Sequence, residues 1–144
     1  MAGTDKTQNQ VLGPAPLVVL AHPQLGENIG TAARAMANFG LHEMRLVAPR
    51  DGWPNEKALN ASSGAHWIVE GAKVYDDVAA SLTDVNYVYA TTARPRDMIK
   101  EVITPEQAGH DMRARIGHGE KIAILFGRER FGLKPDDEVI VFLG

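Results

Sequence analysis

Three short stretches carry side chains whose types and spacing suit chemistry. The first is NIGTAARAM (28–36), where Asn28 and Arg34 stand among very small residues. A guanidinium brings five donors and a permanent charge. The second is GRERFG (127–132), in which Gly127, Glu129 and Gly132 form a G-x-E-x-x-G pattern. Glycines at such positions permit positive φ or let a ligand approach the backbone closely. The pattern is not the dinucleotide fingerprint, and no Gly-Lys-Ser/Thr of a P-loop occurs. The third is TTARPR (91–96), with the hydroxyls of Thr91 and Thr92 beside Arg94 and Arg96. Each stretch also has a plainer reading. These are an amphipathic helix capped by Asn28 with Arg34 in solvent, a Gly-bounded turn, and a polar loop punctuated by Pro95.

Other chemistries find less support. The 144 residues include no cysteine, which removes thiolate nucleophiles, disulfides and Cys-based zinc sites. The histidines His22, His42, His66, His110 and His118 are scattered, and none forms the i, i+4 pair of a helical zinc site. No structural metal is expected. The formal charge of −3 argues against a protein that grips nucleic acid over its whole surface, though it leaves room for a local basic patch. Lys100, Arg128 and Arg130 join Arg94 and Arg96 as candidates for phosphate contacts, with solvated surface charge as the plainer reading of each. No apolar run approaches the ~20 residues that span a bilayer, and the polar start MAGTDKTQNQ lacks a signal-peptide core. A cytoplasmic protein without membrane contact is expected.

The elements that must position these residues follow from apolar runs and punctuation. Residues 1–16 mix Gly, Pro, Gln, Asn and Thr and read as a flexible leader, leaving 17–144 as one domain. LVVLAH (17–22), MRLVA (44–48), NYVYATT (86–92) and KIAILF (121–126) predict strands, with WIV (67–69), KVY (73–75) and VIVFL as weaker candidates. Helices are predicted from Asn28 to Phe39 with Gly40 at C′, over roughly Glu56–Ser62, in DDVAASL, and from a Thr104 N-cap to about Ile116. On a helical wheel Asn28, Thr31, Arg34 and Asn38 share a polar sector, opposite Ile29, Ala32, Ala33, Met36 and Phe39. The alanines and Gly30 suggest a close approach to the sheet. Strands alternating with helices predict an α/β domain with a mainly parallel sheet flanked by helices. Ligands in such sheets collect beyond the carboxyl ends of the strands, which gathers PQLGENIG, TTARPRD and GRERFGL at one place.

In this order and setting, the motifs resemble the SpoU/TrmH class of SPOUT RNA methyltransferases, whose fold knots the chain into a trefoil around the cofactor site. NIGTAARAMANFG matches the first motif of that class, LFGRERFGL the second, and TTAR the cofactor-pocket loop of TrmJ-like tRNA 2′-O-ribose methyltransferases. The resemblance covers about Leu17 to Leu133. It implies Arg34 as the catalytic arginine, Asn28 as the residue that orients it and Glu129 as the acidic residue of the second motif. It also implies that Thr91, Thr92, Gly127 and Gly132 hold S-adenosylmethionine, that Arg34, Arg94, Arg96 and Arg128 meet RNA (tRNA by this likeness), and that the protein is a homodimer.

The class has a third motif, a Ser-Leu-Asn-rich loop leading into a final helix. The residues after Gly132, KPDDEVIVFLG among them, contain no Ser or Asn. The expectation is therefore a SPOUT-type domain whose C-terminal knot segment is missing or incomplete, with weakened cofactor binding, catalysis and dimer. Two alternatives stand beside the enzyme: a non-catalytic RNA-binding or interaction module on the same scaffold, and a small phosphate- or nucleotide-binding α/β domain.

Overall fold

The computed structural model describes residues 14–92, 101–127 and 138–143; in 91–92, 101–103 and 138–143 only the backbone is considered. Continuous apolar runs form the centre of one sheet. Strands β1 (Leu17–Ala21), β2 (Met44–Val47), β3 (Lys73–Tyr75), β4 (Tyr87–Thr92), β5 (Glu101–Ile103), β6 (Ile122–Phe126) and β7 (Glu138–Leu143) lie in the order β3-β2-β1-β6-β4-β7-β5. The first five in that order are parallel, whereas β7 runs antiparallel to both β4 and β5. Burial of β1 on both faces explains why LVVLA carries no polar residue. The observed architecture is the mainly parallel α/β sheet expected from the sequence. The path of residues 128–137, and any knot it makes, falls outside the described residues.

Helix α1 (Gly26–Asn38) follows β1 and packs Ile29, Ala32, Ala33 and Met36 against Val18, Leu20, Met44 and Leu46. Helices α2 (Glu56–Ala61) and α3 (His66–Glu70), joined by a 3-10 turn over 63–65, complete the same cluster through Ala58, Ala65, Ile68 and Val69. Helix α4 (Val78–Ser81) covers the other face, where Val78 and Leu82 meet Leu17, Val19, Val88 and Ala123. Helix α5 (Pro105–Gly117) sits on Tyr87, Tyr89 and Ile122 through Ala108, Met112 and Ile116.

Several local expectations change. α1 begins at Gly26, with Leu25 as an N-cap whose side chain caps nothing, so Asn28 is the third residue of the helix and not its cap. The helix ends as expected: Gly40 has φ +76°, its N–H donates to Ala37 O, and the Leu41 N–H donates to Met36 O. That is a Schellman closure, which needs a left-handed residue at C′. Phe39, placed by the wheel on the buried side, is 79% exposed because it lies beyond the last helical turn. WIV belongs to α3 and not to a strand; three apolar residues fit either period. Ala32 and Ala33 pack toward the sheet as expected, whereas Gly30 makes its close approach to α2: a Cβ there would lie 2.4 Å from Ala58 O. Thr104 caps α5 as expected, and Gln107 returns the bond to complete a capping box.

Candidate active site at the carboxyl edge of the sheet

The carboxyl ends of β1, β6 and β4 are neighbours. Leu20 pairs with Phe126, and Ala90 pairs with Leu125. Continuing that register puts Ala21, Gly127 and Thr92 in one row across three strands, with the outer two about 10 Å apart. The loops that leave this row are PQLGE toward α1, the segment after Thr92, and the segment after Gly127. Sequence alternation alone predicted that the three stretches would meet, and their strand ends do.

Gly127 is only partly buried and is not in the left-handed region. Among the described residues, a Cβ added there would meet nothing within 4 Å. Its backbone therefore marks no special turn. Thr91 and Thr92 end β4 directly beside it. Glu129, Gly132, Arg94, Arg96 and Arg128 lie outside the described residues, as do Lys100 and Arg130.

Asn28 is half-buried in the first turn of α1, close to the carboxyl end of β1, and its carbonyl accepts from the Thr31 hydroxyl at 3.1 Å. Arg34 is exposed and makes no hydrogen bond or ion pair among the described residues. The two sit on one uninterrupted helix, six positions and hence about 9 Å apart along its axis. No hydrogen bond joins the Asn28 amide to the Arg34 guanidinium. The helix instead presents Arg34 to whatever approaches its outer face.

A feature that the sequence reading passed over lies on the other side of β1. His22 and Ala48, the residues that follow β1 and β2, both take left-handed backbone (φ 54° and 45°). With Gln24 and Arg50 they line a depression of about 260 Å³ at the same carboxyl edge. Only the recurrence of polar residues just after strands hints at it in the sequence. Among the described residues no group of three or more His, Asp or Glu could hold a metal ion. No helix among them is long and apolar enough to cross a membrane.

An α/β sheet with its open edge at the first and second motifs is the setting that the sequence resemblance requires, and comparison with known proteins agrees. Residues 15–139 match the SpoU rRNA Methylase family. The chain belongs to that family. A relative from Haemophilus influenzae, named an uncharacterized tRNA/rRNA methyltransferase, is 38% identical over 120 residues, covering 83% of this chain and 48% of that protein. The tRNA (cytidine/uridine/adenosine-2′-O-)-methyltransferase TrmJ of Pseudomonas aeruginosa is 33% identical, with 83% of this chain and 46% of that protein covered. The crystal structure of TrmJ from Z. mobilis superimposes with a TM-score of 0.76 at 52% identity, over 83% of this chain and 52% of that one. The chain spans about half the length of the curated relatives it matches. The SpoU-family fold and the arrangement of its strand ends are therefore both present.

Proposed function

We propose that this chain is the catalytic domain of an S-adenosylmethionine-dependent RNA 2′-O-ribose methyltransferase, with tRNA as its substrate. The observation that carries the reading is the row Ala21–Gly127–Thr92, where the strands that lead into the first motif, the second motif and the segment after TT end side by side on one edge of a SpoU-family sheet. A donor with a nucleoside at one end and an amino acid at the other needs backbone partners and clear space. The partly buried peptide of Gly127 beside Thr91 and Thr92, with no described atom over its Cα, fits that need, and Gly132 joins them through the family motif.

Bound there, S-adenosylmethionine supplies an electrophilic methyl on a sulfonium. The protein's task is to align the ribose hydroxyl with that carbon and to favour the alkoxide as the proton leaves. A guanidinium with pKa above ~12 is a poor base. Arg34 therefore acts as a clamp on the adjacent phosphate and the developing negative oxygen. Its exposure and lack of a partner among the described residues suit that role. Asn28, near the strand end, contributes to the same edge, and Glu129 shapes the second-motif loop. Arg94, Arg96 and Arg128 hold RNA phosphates. A homodimer, with RNA lying across both subunits and the protein working in the cytoplasm, belongs to the same proposal.

Titration calorimetry with S-adenosylmethionine and its demethylated product tests the cofactor site, and labelled methyl transfer to a tRNA transcript tests the reaction. Arg34→Ala should leave donor binding within about two-fold and lower kcat on the order of 100-fold, the loss typical of removing one charge-stabilising donor. A chain that binds neither donor nor product would overturn the reading in favour of a non-catalytic module.

A further inference from the structure

The depression walled by His22, Gln24, Ala48 and Arg50 is not accounted for by the reaction. Its walls are the first residues beyond two adjacent strands, and backbone hydrogen bonds hold them. The His22 N–H donates to Val47 O at 2.8 Å, the Ala48 N–H to Tyr75 O at 2.9 Å, and the Arg50 N–H to Pro23 O at 2.9 Å. Those bonds tie β1 to β2 and β2 to β3 at the points where His22 and Ala48 turn left-handed. Such backbone costs a non-glycine residue on the order of 1–3 kcal/mol and persists only where its surroundings fix it.

The lining chemistry narrows the occupant. Among the described residues, Arg50 and His22 bring N–H donors, Gln24 brings an amide, and Ala48 is the one apolar contributor. None of these is an aromatic ring on which a base could stack. The Arg50 Nε is engaged by Asp51 at 3.1 Å, which leaves the other face of the guanidinium for an anion. A donor-rich hollow without a stacking surface fits the sugar–phosphate backbone of a nucleic acid. Its location agrees: β2 is two strand spacings, about 10 Å, from β6, on the side of β1 away from β4.

We propose that this depression seats a phosphate of the RNA chain flanking the nucleotide that is methylated. The proposal rests on the RNA methyltransferase reading and adds a backbone subsite that positions the strand without reading its sequence. Arg50 supplies the charge, and His22 and Gln24 supply directional donors.

The test compares the whole chain with Arg50→Gln and His22→Gly, the second chosen because glycine keeps the left-handed backbone. Arg113→Gln, on the exposed face of α5, is the control for loss of a surface charge. Fluorescence anisotropy with a labelled tRNA transcript, and with an unrelated RNA of equal length, is measured over a salt series. Arg50→Gln should weaken both RNAs about 5- to 10-fold and reduce the slope of log Kd against log salt by about one. His22→Gly should weaken both with less change in slope, and calorimetry should show unaltered S-adenosylmethionine binding. RNA affinities indistinguishable from those of Arg113→Gln would overturn the subsite, as would a wild-type chain that binds the methyl donor but no RNA. A wild-type chain that binds RNA but no donor overturns the proposed function, and the same variants still decide the subsite.

Discussion

At the scale of single residues, the central question is what Arg34 does with its charge. The side chain is exposed on an unbroken helix and has no partner among the described residues. Arg34→Lys separates the two possible roles. A clamp that grips phosphate through a planar fork is only partly replaced by an ammonium, so kcat should fall on the order of 10-fold, with no new dependence on pH. A base would behave differently: lysine titrates near ~10.4, and activity would climb steeply toward that pH. A pH–rate profile of the variant from neutral to alkaline conditions therefore decides between them. Residue types alone made Arg34, Gly127 and the threonines legible as candidates. They did not reveal that Asn28 and Arg34 are about 9 Å apart along one helix, because a shared sector on a wheel says nothing of distance along the axis.

At the scale of elements, legibility followed burial. LVVLA and IAILF read as strands because central parallel strands need apolar side chains on both faces. The capping box of α5 was half visible, since Thr104 and Pro105 are a strong start signal. WIV was misread because a run of three cannot show a period, and β5 was missed because EVI sits against a basic stretch with little apolar content. The start of α1 was misplaced because Asn28 is a good cap by type, whereas Gly26 and Gly30 are placed by packing. At Gly30 a Cβ would lie 2.4 Å from Ala58 O and 2.7 Å from the Ala61 Cβ. Gly30→Ala gains up to about 1 kcal/mol in helix propensity. It must also drive α1 from a backbone atom that cannot rotate away, a cost of about 1–3 kcal/mol for overpacking. The second effect should win. Urea denaturation should show a lower midpoint for Gly30→Ala with an unchanged slope, and a stabilised variant would show that α1 and α2 separate freely.

At the scale of the whole molecule, the two edges of the sheet are built differently. The amino edge is stitched by charge. Arg45, buried on β2, donates to Glu43, to Ser81 O and to Asp84 at 2.7 Å, while Lys121 approaches both carboxylates. Nearby, Tyr89 donates to Asp111, which also accepts from Arg115, and Arg115 reaches Glu120 while lying over the Tyr87 ring. Among the described residues, the carboxyl edge carries the exposed Arg50–Asp51 pair. On the proposed function, stability and chemistry occupy opposite edges. The Arg45 hydrogen bond holds the Asp84 carboxyl well below the usual carboxylate range, and the Tyr89 hydroxyl, followed by Arg115, lowers that of Asp111. A carboxyl whose folded pKa is depressed contributes stability above its unfolded value, near ~3.9, and loses it as the pH falls from there. Asp84→Asn should therefore lower the Tm at neutral pH and flatten the acid limb of the stability curve, so that mutant and parent converge toward pH 2. Because half of the Asp84 side chain remains in water, the neutral-pH loss should be about 1 kcal/mol and not the several expected for a fully buried pair. S-adenosylmethionine affinity at neutral pH should not change, since the proposed donor site lies at the opposite ends of the strands. A shifted affinity in Asp84→Asn would mean that the two edges are coupled through the sheet, and the division of labour between them would have to be abandoned.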